Sequence, residues 1–219
     1  MKSESNSPPQ ELMDSLIGHY QNGRLSDAER LSAVLTQEFP KHQFAWKVLG
    51  AVLGAKGKKF QAIEAHQTAV TLVPQDFASH NNLGVAFQET GRLDEAEASL
   101  NQAIALKPDF AEAHYNLGNT KQELGRLNEA KASYEQAIAL KPSYVLAHSN
   151  LGNTLGKLGK FKEAEVSYRQ AIIFKPDFAK AHNNLGNTLQ ELGKLEEAEA
   201  SYKRAIALKS DFAEAHNNL

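Results

Sequence analysis

The chain of 219 residues contains no cysteine, so neither disulfides nor thiolate metal sites can contribute to it. It has no apolar run near the roughly 18 residues that would span a bilayer, and its first ten residues, MKSESNSPPQ, lack the apolar centre of a secretory leader. Neither sign of charge prevails: 24 Lys and Arg stand against 26 Asp and Glu, for a net charge of -2. The two signs are mixed along the chain, and with no basic block to follow a phosphate backbone, nucleic acid is not an expected partner. A hydrophobic share of 42% still rules out wholesale disorder. These absences lead to the expectation of a cytoplasmic protein without membrane contact or cofactor. Targeting signals could lie elsewhere if the sequence is a piece of a longer chain.

What is present is one unit written repeatedly. Pro40, Pro74, Pro108, Pro142 and Pro176 are each 34 residues apart, with Ser210 at the next step. Gly50, Gly84, Gly118, Gly152 and Gly186 keep the same period, as do Gly23, Gly57, Gly91, Gly125, Gly159 and Gly193. Three independent series with one period mark a repeat architecture. Within residues 111–144 the pattern predicts helix A from Ala111 to Leu124, a terminating Gly125, and helix B from about Asn128 to Lys141, stopped by Pro142. Asp109 before Glu112, and Asp211 before Glu214, have the spacing of a capping box. One such hairpin cannot bury its own apolar face, whereas a stack of them can.

These residues resemble the tetratricopeptide repeat family. The unit beginning at Gln43 carries Trp46, Leu49, Gly50, Ala62, Ala69 and Pro74, and the unit beginning at Ala111 carries Leu117, Gly118, Ala130, Tyr134, Ala137 and Pro142. The resemblance implies an all-α, right-handed α-solenoid of helix-turn-helix repeats. It divides the chain into a flexible tail (1–8), a divergent first repeat (9–42, keeping Gly23, Ala28 and Pro40), five full repeats (43–212) and the start of a sixth (213–219). It also implies a protein-protein interaction scaffold rather than an enzyme.

Two departures from the family pattern stand out. The Trp position holds Trp46 once and then His80, His114, His148, His182 and His216. A metal ladder is disfavoured, because helices packed ~8–10 Å apart hold one such His per repeat too far from the next to share an ion. Packing between helices is the expected role, with loss of stability in mild acid as burial disfavours the charged imidazole. Lys121 occupies a position where Leu53, Phe87, Leu155 and Leu189 stand in other repeats. Its stem is expected to pack and its ammonium to snorkel outward.

Advancing helix A by 100° per residue places positions 3, 4, 7, 8, 10, 11 and 14 on one side. In the unit from Ala179 these are Ala181, His182, Leu185, Gly186, Thr188, Leu189 and Leu192, the predicted buried face, where Gly186 would let a neighbouring helix approach closely. The opposite side carries rows of asparagine: Asn82, Asn116, Asn150, Asn184 and Asn218 at the sixth position, and Asn119, Asn153 and Asn187 at the ninth. In the resembled family this face lines the groove. An amide offers both a donor and an acceptor, so such rows could hold an extended peptide by its main chain. Specificity would come from neighbours such as Tyr115, Ser149, Asn183, Lys157 and Glu191. The rows are equally compatible with a hydrogen-bonding role inside the scaffold. Together with the "KPDFAEAH" linkers they are similar to the repeats of O-linked N-acetylglucosamine transferases and related bacterial repeat proteins, in which the Asn row holds extended segments.

No phosphate-binding Gly loop, metal motif or Ser–His–Asp set emerges. A carboxylate clamp of the cochaperone kind is disfavoured, since Lys47 has Val48 and Ala51 as companions and no groove Arg. The expected partner is therefore a protein or an extended peptide. The rivals are a recognition arm of a larger enzyme such as a glycosyltransferase, and a self-assembly module in which an uncapped end after the last complete repeat makes homo-oligomers.

Overall fold

The computed structural model describes residues 7–219. Of the tail expected over residues 1–8, residues 1–6 lie outside the described residues, and Pro8 is buried. All regular structure among the described residues is α-helical, and it divides into two compact units, up to Pro108 and from Asp109 onward.

The first unit contains α1 (Gln10–Gln21), α2 (Leu25–Glu38), α3 (Gln43–Ala55), α4 (Lys59–Leu72), α5 (Phe77–Gln88) and α6 (Leu93–Leu106). The second contains α7 (Ala111–Glu123), α8 (Leu127–Leu140), α9 (Val145–Lys157), α10 (Phe161–Phe174), α11 (Ala179–Glu191), α12 (Leu195–Leu208) and the short α13 (Ala213–Asn218). The helices of the unit from Ala111 thus fall within a residue of the boundaries read from the sequence. The divergent segment 9–42 also forms a hairpin, α1 with α2.

The glycine series at the end of each helix A adopts the left-handed conformation, with φ from +69° at Gly23 to +75° at Gly125. That backbone is open to glycine at little cost and ends the helix there. The capping box does not form. The N-caps of α7 and α13 are Phe110 and Phe212, with no side-chain cap hydrogen bond. The aspartates sit one residue too early, so their carboxylates fall out of register with the first free amides. In the segment 74–77 the aspartate comes one place later. There Asp76 is the N-cap, and its carboxylate accepts from Ala78 N at 3.3 Å.

Each helix A packs on its own helix B and, within a unit, on the helix B before it: α2 with α3 and α4 with α5 in the first unit, α8 with α9 and α10 with α11 in the second. The core of the second unit alternates small and large residues. Ala130, Ala164 and Ala198 lie beside Tyr134, Tyr168, Tyr202, Leu151, Leu155, Leu185 and Leu189. The first unit is more varied, with Met13, Leu16, Leu35 and Val52 in one cluster and Ile63, Leu83 and Phe87 in another.

Candidate functional site

The packing glycine of helix A fixes the chemistry of the face opposite. A Cβ on Gly118, Gly152 or Gly186 would lie 2.5–2.8 Å from ring carbons of Tyr134, Tyr168 or Tyr202, so each tyrosine ring rests against bare backbone. Pressed that close, each phenol reaches across its helix A. Tyr134 Oη donates to Asn119 Oδ1 at 2.8 Å, Tyr168 Oη to Asn153 Oδ1 at 2.6 Å, and Tyr202 Oη to Asn187 Oδ1 at 2.8 Å. Burial pushes the Tyr134 and Tyr168 phenols above their ordinary range, which keeps them protonated as donors.

The same carbonyls accept a second bond from the next repeat. Asn150 Nδ2 donates to Asn119 Oδ1 at 2.9 Å, Asn184 Nδ2 to Asn153 Oδ1 at 2.9 Å, and Asn218 Nδ2 to Asn187 Oδ1 at 3.0 Å. The sixth and ninth positions therefore interlock into a ladder through the second unit, each rung joining a tyrosine, its own repeat and the following one. Thr120, Thr154 and Thr188 anchor the helix beneath by donating to the main-chain carbonyls of Asn116, Asn150 and Asn184.

The ladder alters the expected use of the rows. At the ninth position the carbonyl is saturated by two internal donors, so these side chains cannot offer both halves of the amide. The Nδ2 groups of Asn119, Asn153 and Asn187 have no partner among the described residues, and they are held in a fixed direction by the bonds on the other side of the amide. Asn153 and Asn187 line a cleft of about 410 Å³ between α9 and α11, with Asn184, Lys157, Lys180 and Glu191 among its other walls.

Position 5 belongs elsewhere. Asn183, expected beside the groove, is 2% exposed, donates to Asn184 Oδ1 and accepts from Asn218 Nδ2. Ser149 is buried too. Tyr115 is half-buried, stacks 4.9 Å from Tyr144, and its hydroxyl accepts from Asn150 Nδ2. At this position Tyr115 and Asn183 bond to the adjoining repeat, and Ser149 is covered by the fold.

The first unit lacks the ladder. Its ninth positions are Ala51 and Val85, and the corresponding helix-B residues are His66 and Leu100. Asn82, the first of the row, has no side-chain hydrogen bond among the described residues and lines a cleft floored by His66 and Gly50. Asn appears at position 9 only where Tyr stands fifteen residues later. That pairing was the signal in the sequence for the ladder, and a reading of helix A alone misses it. Lys47 is held by Asp76 at 2.8 Å, where Gln43 and Ser79 also donate to the carboxylate. Burial would raise the Asp76 pKa, but these donors outweigh it and bring it to about 2.

The histidine row has a structural explanation. Nε2 of His80, His148, His182 and His216 lies 2.8–3.0 Å from the carbonyl of the residue six earlier, Pro74, Pro142, Pro176 or Ser210. A carbonyl only accepts, so Nε2 carries the proton. Trp46 Nε1 donates to Pro40 O in the same way at 2.9 Å, which is why Trp and His interchange here. Lys121 buries its stem, with its side chain 16% exposed, and brings its ammonium within 3.6 Å of the exposed carboxylate of Glu129.

Comparison with known proteins agrees with this architecture. Among solved structures, MamA is 27% identical, with a TM-score of 0.68 over 75% of this chain and 96% of that one. PilW, a type IV pilus biogenesis factor, is 18% identical with a TM-score of 0.86 over 95% of this chain and 96% of that one. YrrB, described as a TPR protein with an unusual peptide-binding site, is 18% identical with a TM-score of 0.67 over 85% of this chain and 96% of that one. No curated protein matches the chain. The TPR repeat model matches residues 87–125, 122–159 and 155–193, and the tetratricopeptide repeat model matches residues 179–212. With more than half of its length so matched, on a frame of stacked helical hairpins, the chain belongs to the tetratricopeptide repeat family.

Proposed function

We propose that the chain is a protein-binding scaffold that holds an extended peptide segment against the helix-A face of its second unit. The observation that carries this reading is the row of outward amide donors on Asn119, Asn153 and Asn187, fixed in direction because their carbonyls are held by tyrosines and by the next repeat. Donors set in place before binding lose little freedom when a partner arrives. They suit main-chain carbonyls of an extended segment, whatever its sequence. Lys157, Lys180 and Glu191 around the cleft would then select side chains. The peptide-binding site described for YrrB, on the same fold, supports the reading.

The test separates scaffold from ligand chemistry. Asn153→Asp and Asn187→Asp keep an acceptor for Tyr168 and Tyr202 but remove the outward N–H. Peptide-array hits obtained with the wild-type chain should lose most of their affinity for the double aspartate variant while thermal unfolding changes little. A variant with Asn116, Asn150 and Asn184 all changed to Ala should lose both. Undiminished peptide binding by both variants would remove the asparagines from the mechanism.

A further inference from the structure

The chain offers an internal control, since each repeat shows what its siblings need at a given position. On helix B, position 22 is Glu64, Ala98, Ala132 and Ala200, but Val166 in the fourth full repeat. Position 29 is Thr71, Ala105, Ala139 and Ala207, but Ile173. Position 30 is Leu72, Leu106, Leu140 and Leu208, but Phe174. These larger apolar groups are not buried by the fold: Val166 is 61% exposed, Ile173 64% and Phe174 43%. Phe174 has its ring 5.7 Å from that of His148, but sibling repeats pack without the branches of Val166 and Ile173, so packing does not explain the size of those two.

Ile173 lines a cleft of about 470 Å³ between α10 and α12, with Ile172 beside it in a predominantly apolar wall and Leu185 and Leu189 from α11 as its floor. The cleft uses positions 4, 7 and 11 of α11, the side of that helix away from Asn184 and Asn187. At its rim stands Arg204, where the siblings carry Thr68, Gln102, Gln136 and Gln170. Arg204 is exposed, with no ion pair or hydrogen bond among the described residues. Its neighbour Arg169 bonds Glu165 and Glu197. Two departures from the repeat pattern, one apolar and one cationic, thus meet at one cleft.

We infer that this cleft is a second docking site, distinct from the asparagine face, and that its occupant is a segment of a partner protein bearing an aliphatic or aromatic anchor flanked by carboxylates. The anchor enters between Ile173 and Leu185, where apolar surface is already concentrated, and a carboxylate meets the unpaired guanidinium of Arg204. Arg favours such an encounter because its fork can engage a carboxylate by two bonds.

The sibling residues supply variants that the fold already tolerates: Val166→Ala with Ile173→Ala, and Arg204→Gln. Fluorescein-labelled octapeptides with a central Leu-Phe, flanked by Asp, by Gln or by Lys, are titrated into the full chain and followed by anisotropy. The Asp-flanked peptide should bind about tenfold more tightly than the Lys-flanked one, a difference of about 1.4 kcal/mol. The double alanine variant should weaken all three peptides, and Arg204→Gln only the Asp-flanked one. In an Asn153→Asp background, which silences the asparagine face, the preference for the Asp-flanked peptide and its dependence on Arg204 should persist. No binding, equal binding by the double alanine variant, or loss of that preference with Asn153→Asp would overturn the proposal. So would concentration-dependent dimerisation abolished by the double alanine variant, which would make a second copy the occupant.

Discussion

Tyr168 Oη lies 2.6 Å from Asn153 Oδ1, and the same oxygen receives Asn184 Nδ2 from the next repeat at 2.9 Å. One carbonyl thus joins the two helices of one hairpin and two successive repeats. The asparagine row is a structural seam before it is anything else, and its removal should be felt in stability. Asn153→Ala is expected to destabilise the second unit by about 1–3 kcal/mol, because it leaves the Tyr168 hydroxyl buried without a partner. Tyr168→Phe alone should cost about 1 kcal/mol, and a double-mutant cycle in denaturant should show clear coupling between the two sites. Additive effects would contradict the bond.

Glycine substitutions should split by position. Gly186→Ala puts a methyl 2.5 Å from the Tyr202 ring and should destabilise by about 1–3 kcal/mol, with partial rescue by Tyr202→Leu. Gly156→Ala, in the last turn of α9 with nothing within 4 Å of the added carbon, should instead stabilise by about 0.5 kcal/mol. Thermal melts of the two variants decide it. Changes of the same sign would overturn the packing account.

An acid-sensitive site lies outside the histidine row, at His66 on α4. This ring rests on Gly50, is 4% exposed, and its Nδ1 has no partner. Burial, with Lys47 as a smaller contributor, lowers its pKa to about 4. The unfolded chain binds a proton near the ordinary 6.5 and the folded chain near 4, so stability is full above pH 6.5 and falls as pH drops from there toward 4. The whole effect is about 3 kcal/mol. Denaturant unfolding at pH 7.5, 5.5 and 4.5 should show this slope, and His66→Leu, the residue found at Leu100, should flatten it.

Lys121→Leu should raise the melting temperature, by about 1 kcal/mol of stability. Four sibling positions hold buried apolar groups, and the exchange removes only a pairing with the half-exposed Glu129 at 3.6 Å. A lower melting temperature would mean that this ion pair matters more than the burial it displaces.

The sequence by itself determined the helices, because their punctuation is local. Gly125 and its equivalents take a backbone other residues avoid, prolines block helix B, and the apolar stripe repeats every 34 residues. It also singled out Asn153, Asn184 and their rows. It did not show which way an amide points, since that depends on a tyrosine fifteen residues later and an asparagine thirty-one residues later, brought together only by close packing on Gly152 and its siblings. A helical wheel likewise set Asn183 on the open side, because the wheel sees one helix at a time and the side chain is covered by the adjoining repeat. The cap failed for a similar reason, as one residue of register decides whether Asp109 or Phe110 occupies the position. Periodicity fixed the elements. Tertiary packing, which fixes how closely each helix approaches its neighbour, decided which polar atoms pair within the fold and which remain for a partner.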